Sequence, residues 1–147
     1  MAERLHLGDR EDDGTPVILH VQRVASAVPE EARTVAWLHE LLEWTAVTEQ
    51  ELLIAGLTSD ELRALRLLNR TTDSQSDHHY LAHLGLIAQA SGDSGRLARI
   101  VKTADLKDRR LHPYVCRDGR SPPYARALEL LSEARDDRHR AATAVVA

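Results

Sequence analysis

Phenylalanine is missing from this 147-residue chain, aromatic residues of all kinds make up 3%, and there is a single cysteine. Sandwiches and barrels fill their sheets with aromatic and β-branched side chains, so their scarcity points away from both. The one cysteine, Cys116, cannot form an intrachain disulfide. Excess positive charge is lacking too: the net charge is −4. With a sequence pI near 6.0, the chain has no electrostatic footprint of a nucleic-acid binder, and an anionic substrate would need a local basic patch. The charged start, MAERLHLGDREDD, carries no apolar signal-peptide core, and no apolar run is long enough to span a bilayer. A cytoplasmic protein with no membrane partner is the expectation. Internal repeats, a Gly-rich phosphate loop, CxxC and GxSxG are likewise absent.

What the chain has is aliphatic residues and helix punctuation. Hydrophobic residues make up 43%, mostly Leu, Ala and Val, which suits helices packed through aliphatic ridges. The length supports one domain with a proper core. Thr15 is a candidate N-cap with Pro16 at the first helical position, followed by Val17, Ile18, Val21, Val24, Ala25 and Val28 on one face until Pro29. His20 lies at the border of that stripe, where a histidine also fits an ordinary core edge. Thr48 with Glu51, and Thr58 with Glu61, fit capping boxes, and Gly56 between them fits a C-terminal cap. Two short helices follow, the second burying Leu62, Leu65 and Leu68, and then a loop from Arg70 to Ser76. A helix beginning near Asp77 buries Leu81, Leu84, Ile87 and Ala88. It carries His78, His79 and His83, read as mostly exposed. Ser94 is expected to cap a helix with Leu97, Ile100, Val101 and Ala104 inward, ending before Pro113. A last helix turns Ala127, Leu128, Leu131 and Ala134 inward. The expectation is all-α: one compact bundle of six to seven helices over residues 1–137, with a frayed tail over 138–147.

The stretch EARTVAWLHELLEW, Glu31 to Trp44, is the most informative. On one continuous helix, at roughly 100° per residue, Val35, Trp37, Leu38, Leu41, Leu42 and Trp44 cover most of the circumference and leave a polar sector. That sector holds His39, Glu40 and Glu43. An imidazole beside carboxylates suits a divalent metal or proton transfer, while a plain solvated face fits the same pattern. Further on, Asp105 falls at the edge of an apolar face and Asp108 near its centre. A carboxylate removed from water needs a cation, a metal or several donors. Lys102, Arg109 or Arg110 could supply an ordinary salt bridge, and a functional role fits equally.

Three segments, TPVILHVQRVA from Thr15, AWLHELLEWT from Ala36 and VKTADLKD from Val101, together resemble the small HD-domain metal-dependent phosphohydrolases. Within these the chain is most similar to RelA/SpoT-type guanosine tetraphosphate hydrolases. The likeness extends to His6–Gly8, Val47 and Thr48, Tyr80, and Tyr124–Leu128. It implies an HD-like helical fold in which His20, His39, Glu40 and Asp105 ligate one divalent ion, manganese first, with iron or zinc as alternatives. Such an ion acidifies water and polarises a phosphoryl oxygen. Glu43 would orient or deprotonate the water, and Tyr80 would meet a small phosphorylated substrate, a nucleotide by the resemblance. On local basicity alone, Lys102, with help from Lys107, Arg109 or Arg110, could supply charge for its phosphates. The chain departs from the pattern at Glu40, where the family has Asp, and at Trp44, where it has a second catalytic acid. Val17 replaces Tyr, and Glu11 and Asp12 stand where a basic pair is expected. A catalytically degenerate module that binds metal or nucleotide as a sensor or interaction domain is the alternative.

Overall fold

A computed structural model of the chain describes residues 8–10, 14–69, 76–113 and 121–134. Glu11, Asp12, the loop from Arg70, Cys116 and the tail 138–147 lie outside these. Among the described residues all regular structure is helical, apart from one isolated bridge between Arg10 and Pro16. The helices are α1 (Val17–Ala27), α2 (Glu30–Leu38), α3 (Leu41–Trp44), α4 (Glu49–Ile54), α5 (Ser59–Leu68), α6 (Asp77–Gln89) and α7 (Gly92–Leu111). A further helix, α8, covers residues 124–134. The all-α bundle expected from composition is therefore what forms.

The longest helix, α7, is the hub, packing against α1, α2, α5 and α6. Its 20 residues span about 30 Å. Leu97, Ala98, Val101 and Leu106 bury its inner side against Leu65 of α5, Leu84 and Ile87 of α6, and Val35 of α2, within one contiguous core. Each Leu or Ile taken fully from water contributes about 1.5–3 kcal/mol, which is what holds the bundle together. Tyr124, Ala127 and Leu131 of α8 close the same core, with Leu128 and Ala134 half-buried at its edge.

Both capping boxes form as the sequence predicts. Thr48 and Thr58 each accept from the backbone N–H three residues on, while Glu51 and Glu61 reach back to the cap N–H. At the end of α4, Gly56 takes φ +99°. Its N–H donates to Leu53 and that of Leu57 donates to Leu52, the paired bonds of a Schellman cap that only a residue at ease with positive φ can make.

Three local expectations need correction. Thr15 is not the cap of α1: Pro16 holds the cap position in an extended conformation with no side-chain bond. The Val17 N–H instead donates to the Asp9 carbonyl at 3.1 Å, so upstream backbone satisfies the donor a threonine hydroxyl would have taken. Ser94 lies inside the first turn of α7, and Ser91 precedes the helix. Finally, 31–44 is not one helix. It breaks at His39 and Glu40, where Glu40 sits at φ −90°, ψ −10° and Glu43 N–H donates back three residues to the Glu40 carbonyl. That shorter loop is the tightening typical of a 3₁₀ turn.

Two measurements check this packing. A Cβ on Gly95 would lie 2.3 Å from the Ala90 carbonyl oxygen, a backbone atom that cannot move aside cheaply, so Gly95→Ala should lower urea-unfolding stability by about 1–3 kcal/mol. Thr58→Ala removes the cap bond of α5 and should cost about 1 kcal/mol; a loss below a few tenths would mean the box is not holding the helix.

Candidate metal centre

His20 and His39 arrive from two helices that pack side by side. His20 lies on the buried face of α1, between Val17 and Val24. His39 follows α2, at the break that separates it from α3. Both rings are buried, at 1% and 7% exposure. Their Nε2 atoms face each other at 3.3 Å, and the rings meet edge to face. Glu40 Oε1 stands 3.6 Å from each Nε2. Asp105 Oδ1, carried by α7, lies 3.2 Å from His20 Nε2. One donor atom from each of His20, His39, Glu40 and Asp105 falls within 4.8 Å of the others.

The far side of each ring fixes which nitrogen carries the proton. His39 Nδ1 is 2.6 Å from the Ala36 carbonyl, and His20 Nδ1 is 2.7 Å from the Asp108 carboxylate. Carbonyl and carboxylate oxygens only accept, so both Nδ1 atoms donate. In the neutral rings both Nε2 lone pairs then point at one another, an arrangement that calls for an electrophile between them. A single proton can play that part. Burial works against charge on His20, but hydrogen bonds to Asp105 and Asp108 and the Asp105 charge outweigh it, and the pKa is pushed up to about 9. Burial holds His39 below its ordinary value.

A divalent ion suits the same place by donor chemistry. Two imidazole nitrogens and two carboxylate oxygens are a set that manganese, iron or zinc accepts. Donor atoms bound to one ion at about 2.1 Å stand roughly 3.0–4.2 Å apart, and the His20–His39, His20–Glu40, His39–Glu40 and His20–Asp105 separations of 3.2–3.6 Å already fall in that range. The carboxylates are already charged. Burial opposes ionisation of Glu40, yet His39, Arg109 and His20 beside it pull its pKa below the ordinary value. Asp105 is likewise held well below its ordinary value, with burial outweighed by Lys102, His20 and His39.

Three carboxylates in this region each have a basic partner. Lys102 Nζ lies 2.6 Å from Asp105 Oδ2, and Arg109 Nη2 lies 3.2 Å from Glu40 Oε1. Arg23 grips Asp108 with Nε at 2.7 Å and Nη2 at 3.0 Å. The salt bridge foreseen for Asp105 thus exists, alongside the contact with His20. Asp108 pairs not with Lys102, Arg109 or Arg110 but with Arg23 and His20. Sequence reading overlooked that pairing, although Arg23 follows His20, and Asp108 follows Asp105, at the three-residue spacing that shares a helix face.

The other residues singled out from sequence are placed differently. Lys102 and Arg109 border the cluster, Lys107 is exposed on α7, and Tyr80 is half-buried against the core. Glu43 is exposed and is not one of the four grouped residues. His78 and His79 are exposed as expected, whereas His83 is half-buried with its Nε2 donating to the Leu67 carbonyl at 2.7 Å.

The braces should differ in strength according to burial. Lys102→Met withdraws the ammonium from a buried carboxylate and should cost about 3 kcal/mol in denaturant unfolding. Arg66→Ala, which breaks the exposed pair with Glu49, should cost under about 1 kcal/mol. Equal losses would mean the buried ion pair is not holding the cluster together.

Comparison of the chain with protein-family models and with curated proteins returns no match, so the reading of this site stands on the geometry of its own residues.

Proposed function

We propose that the cluster holds one divalent metal ion, manganese first, with iron or zinc as alternatives, and that the chain is a metal-dependent phosphohydrolase of the HD type. Its substrate would be a nucleotide or another small phosphate ester. The observation that carries this reading is the pair of opposed, buried imidazole Nε2 atoms with two ionised carboxylates beside them. His20, His39, Glu40 and Asp105 would hold the ion. When bound, it supplies Lewis-acid charge for acidifying water and polarising a phosphoryl oxygen.

The chain's own groups divide the remaining work. Lys102 and Arg109 stand at the rim of the cluster with cationic N–H groups that suit phosphate oxygens. Lys107, exposed on the same helix, adds positive charge, and Tyr80 would give the substrate a surface to pack against. Glu43, one short turn beyond Glu40, has a carboxylate that would accept the proton of an attacking water. A leaving oxygen needs a proton in turn, and Trp44, at the position of the second acid, cannot give one.

Trp44 together with the exposure of Glu43 favours a second reading, a degenerate module that binds metal or nucleotide without turning it over. Both readings predict a bound ion at this cluster. The discriminating experiment strips the full chain with chelator, reloads it with manganese, iron or zinc, counts bound metal, and follows phosphate release from a nucleotide panel that includes guanosine tetraphosphate. The phosphohydrolase reading expects one equivalent of metal and phosphate release abolished in His39→Ala and Asp105→Ala, both still folded. Metal uptake without release on any substrate would favour the binding module. Failure to retain any metal would overturn both.

A further inference from the structure

We propose that Asp108, locked in place by Arg23, is the positioning residue of the cluster, holding His20 with its proton on Nδ1 so that the Nε2 lone pair aims at His39, Glu40 and Asp105. Nothing in the sequence resemblance assigns either residue a role. The two histidines are anchored in different ways. His39 leans on the carbonyl of Ala36, a backbone atom three residues back in its own segment. His20 has its Nδ1 on a carboxylate 88 positions away in the chain, so its orientation is set by a side chain from another helix.

That side chain has little freedom of its own. Asp108 Oδ1 accepts from Arg23 Nε at 2.7 Å and Oδ2 from Arg23 Nη2 at 3.0 Å. A guanidinium gripping both oxygens fixes the plane of the carboxylate as well as its place. His112 Nδ1 adds a contact with Oδ1 at 3.2 Å from the solvent side. Because α7 also bears Asp105 one turn earlier, the same helix supplies both a candidate ligand and the anchor for His20. Asp108 touches the ring nitrogen opposite the ligand volume, so it acts through His20. A carboxylate behind an imidazole fixes its tautomer and strengthens it as a donor. The consequence for metal affinity rests on reading the cluster as a metal site, whereas the tautomer does not.

The test uses the full chain and two readouts. In side-chain ¹H–¹⁵N spectra of chelator-treated protein, the Nδ1 proton of His20 is expected to be protected from exchange, and that protection to vanish in Asp108→Ala. In zinc titrations, Asp108→Ala should bind roughly 10- to 100-fold more weakly than wild type, with Asp108→Asn, which keeps an accepting carbonyl, recovering part of the loss. Arg23→Met should fall between and speed exchange of the Nδ1 proton; it carries the test if Asp108→Ala fails to fold. A bare His20 Nδ1, a proton exchanging as fast as that of exposed His78, or a folded Asp108→Ala with wild-type zinc affinity would overturn the proposal. If wild type takes up no zinc, the metal reading falls, and the exchange data alone decide the role of Asp108.

Discussion

Two histidine nitrogens with their lone pairs turned toward each other, 3.3 Å apart and shut away from water, are the constraint on which the rest of the structure depends. Something positive belongs between them, whether proton or metal. The surrounding acids reinforce that demand, since Glu40 and Asp105 are both ionised and both approach the same nitrogen. Buried charges of this density would destabilise a small domain if left alone. The chain offsets the cost by assigning each acid a cation: Lys102 to Asp105, Arg109 to Glu40, Arg23 to Asp108. The result is a cluster whose geometry is held by protein contacts before any ligand arrives.

The fold's part is to bring α1, the break after α2 and the middle of α7 to one point. Helix α7 does two jobs at once: Val101 and Leu106 face the aliphatic core while Asp105 and Asp108, also buried, face the histidines. The break at His39 and Glu40 matters as much. Consecutive residues of a regular helix diverge by roughly 100°, and here both reach the His20 ring, at 3.3 and 3.6 Å from its Nε2. The Glu40 carboxylate comes within 3.6 Å of both Nε2 atoms.

The sequence made local features legible and left long-range ones obscure. The capping boxes at Thr48 and Thr58 and the Gly56 cap could be read because every partner lies within a few residues. The cap of α1 could not, because Val17 is satisfied by Asp9 across a turn. The continuous helix expected from Glu31 to Trp44 failed for a similar reason: its apolar pattern continues through the break, and Arg109, the partner of Glu40 there, lies 69 positions away. Of the four clustered side chains, spacing alone singled out His39 and Glu40 as a candidate site and left Asp105 open between a functional role and a salt bridge. His20 read as a core-edge histidine and joined them through the resemblance. Asp105 turned out to serve in a salt bridge and to face His20 together. Arg23 and Asp108 carried a usable signal in their spacing, but their contact joins segments 85 positions apart, which no local pattern encodes.

The most direct measurement is anomalous diffraction at the manganese, iron and zinc edges from crystals of protein purified without chelator or affinity tag. The account predicts one peak, about 2.1 Å from Nε2 of His20 and His39 and from one oxygen each of Glu40 and Asp105. Density that leaves the two Nε2 atoms in direct hydrogen-bonding contact, with no peak between the four residues in crystals grown with any of these metals, would contradict it.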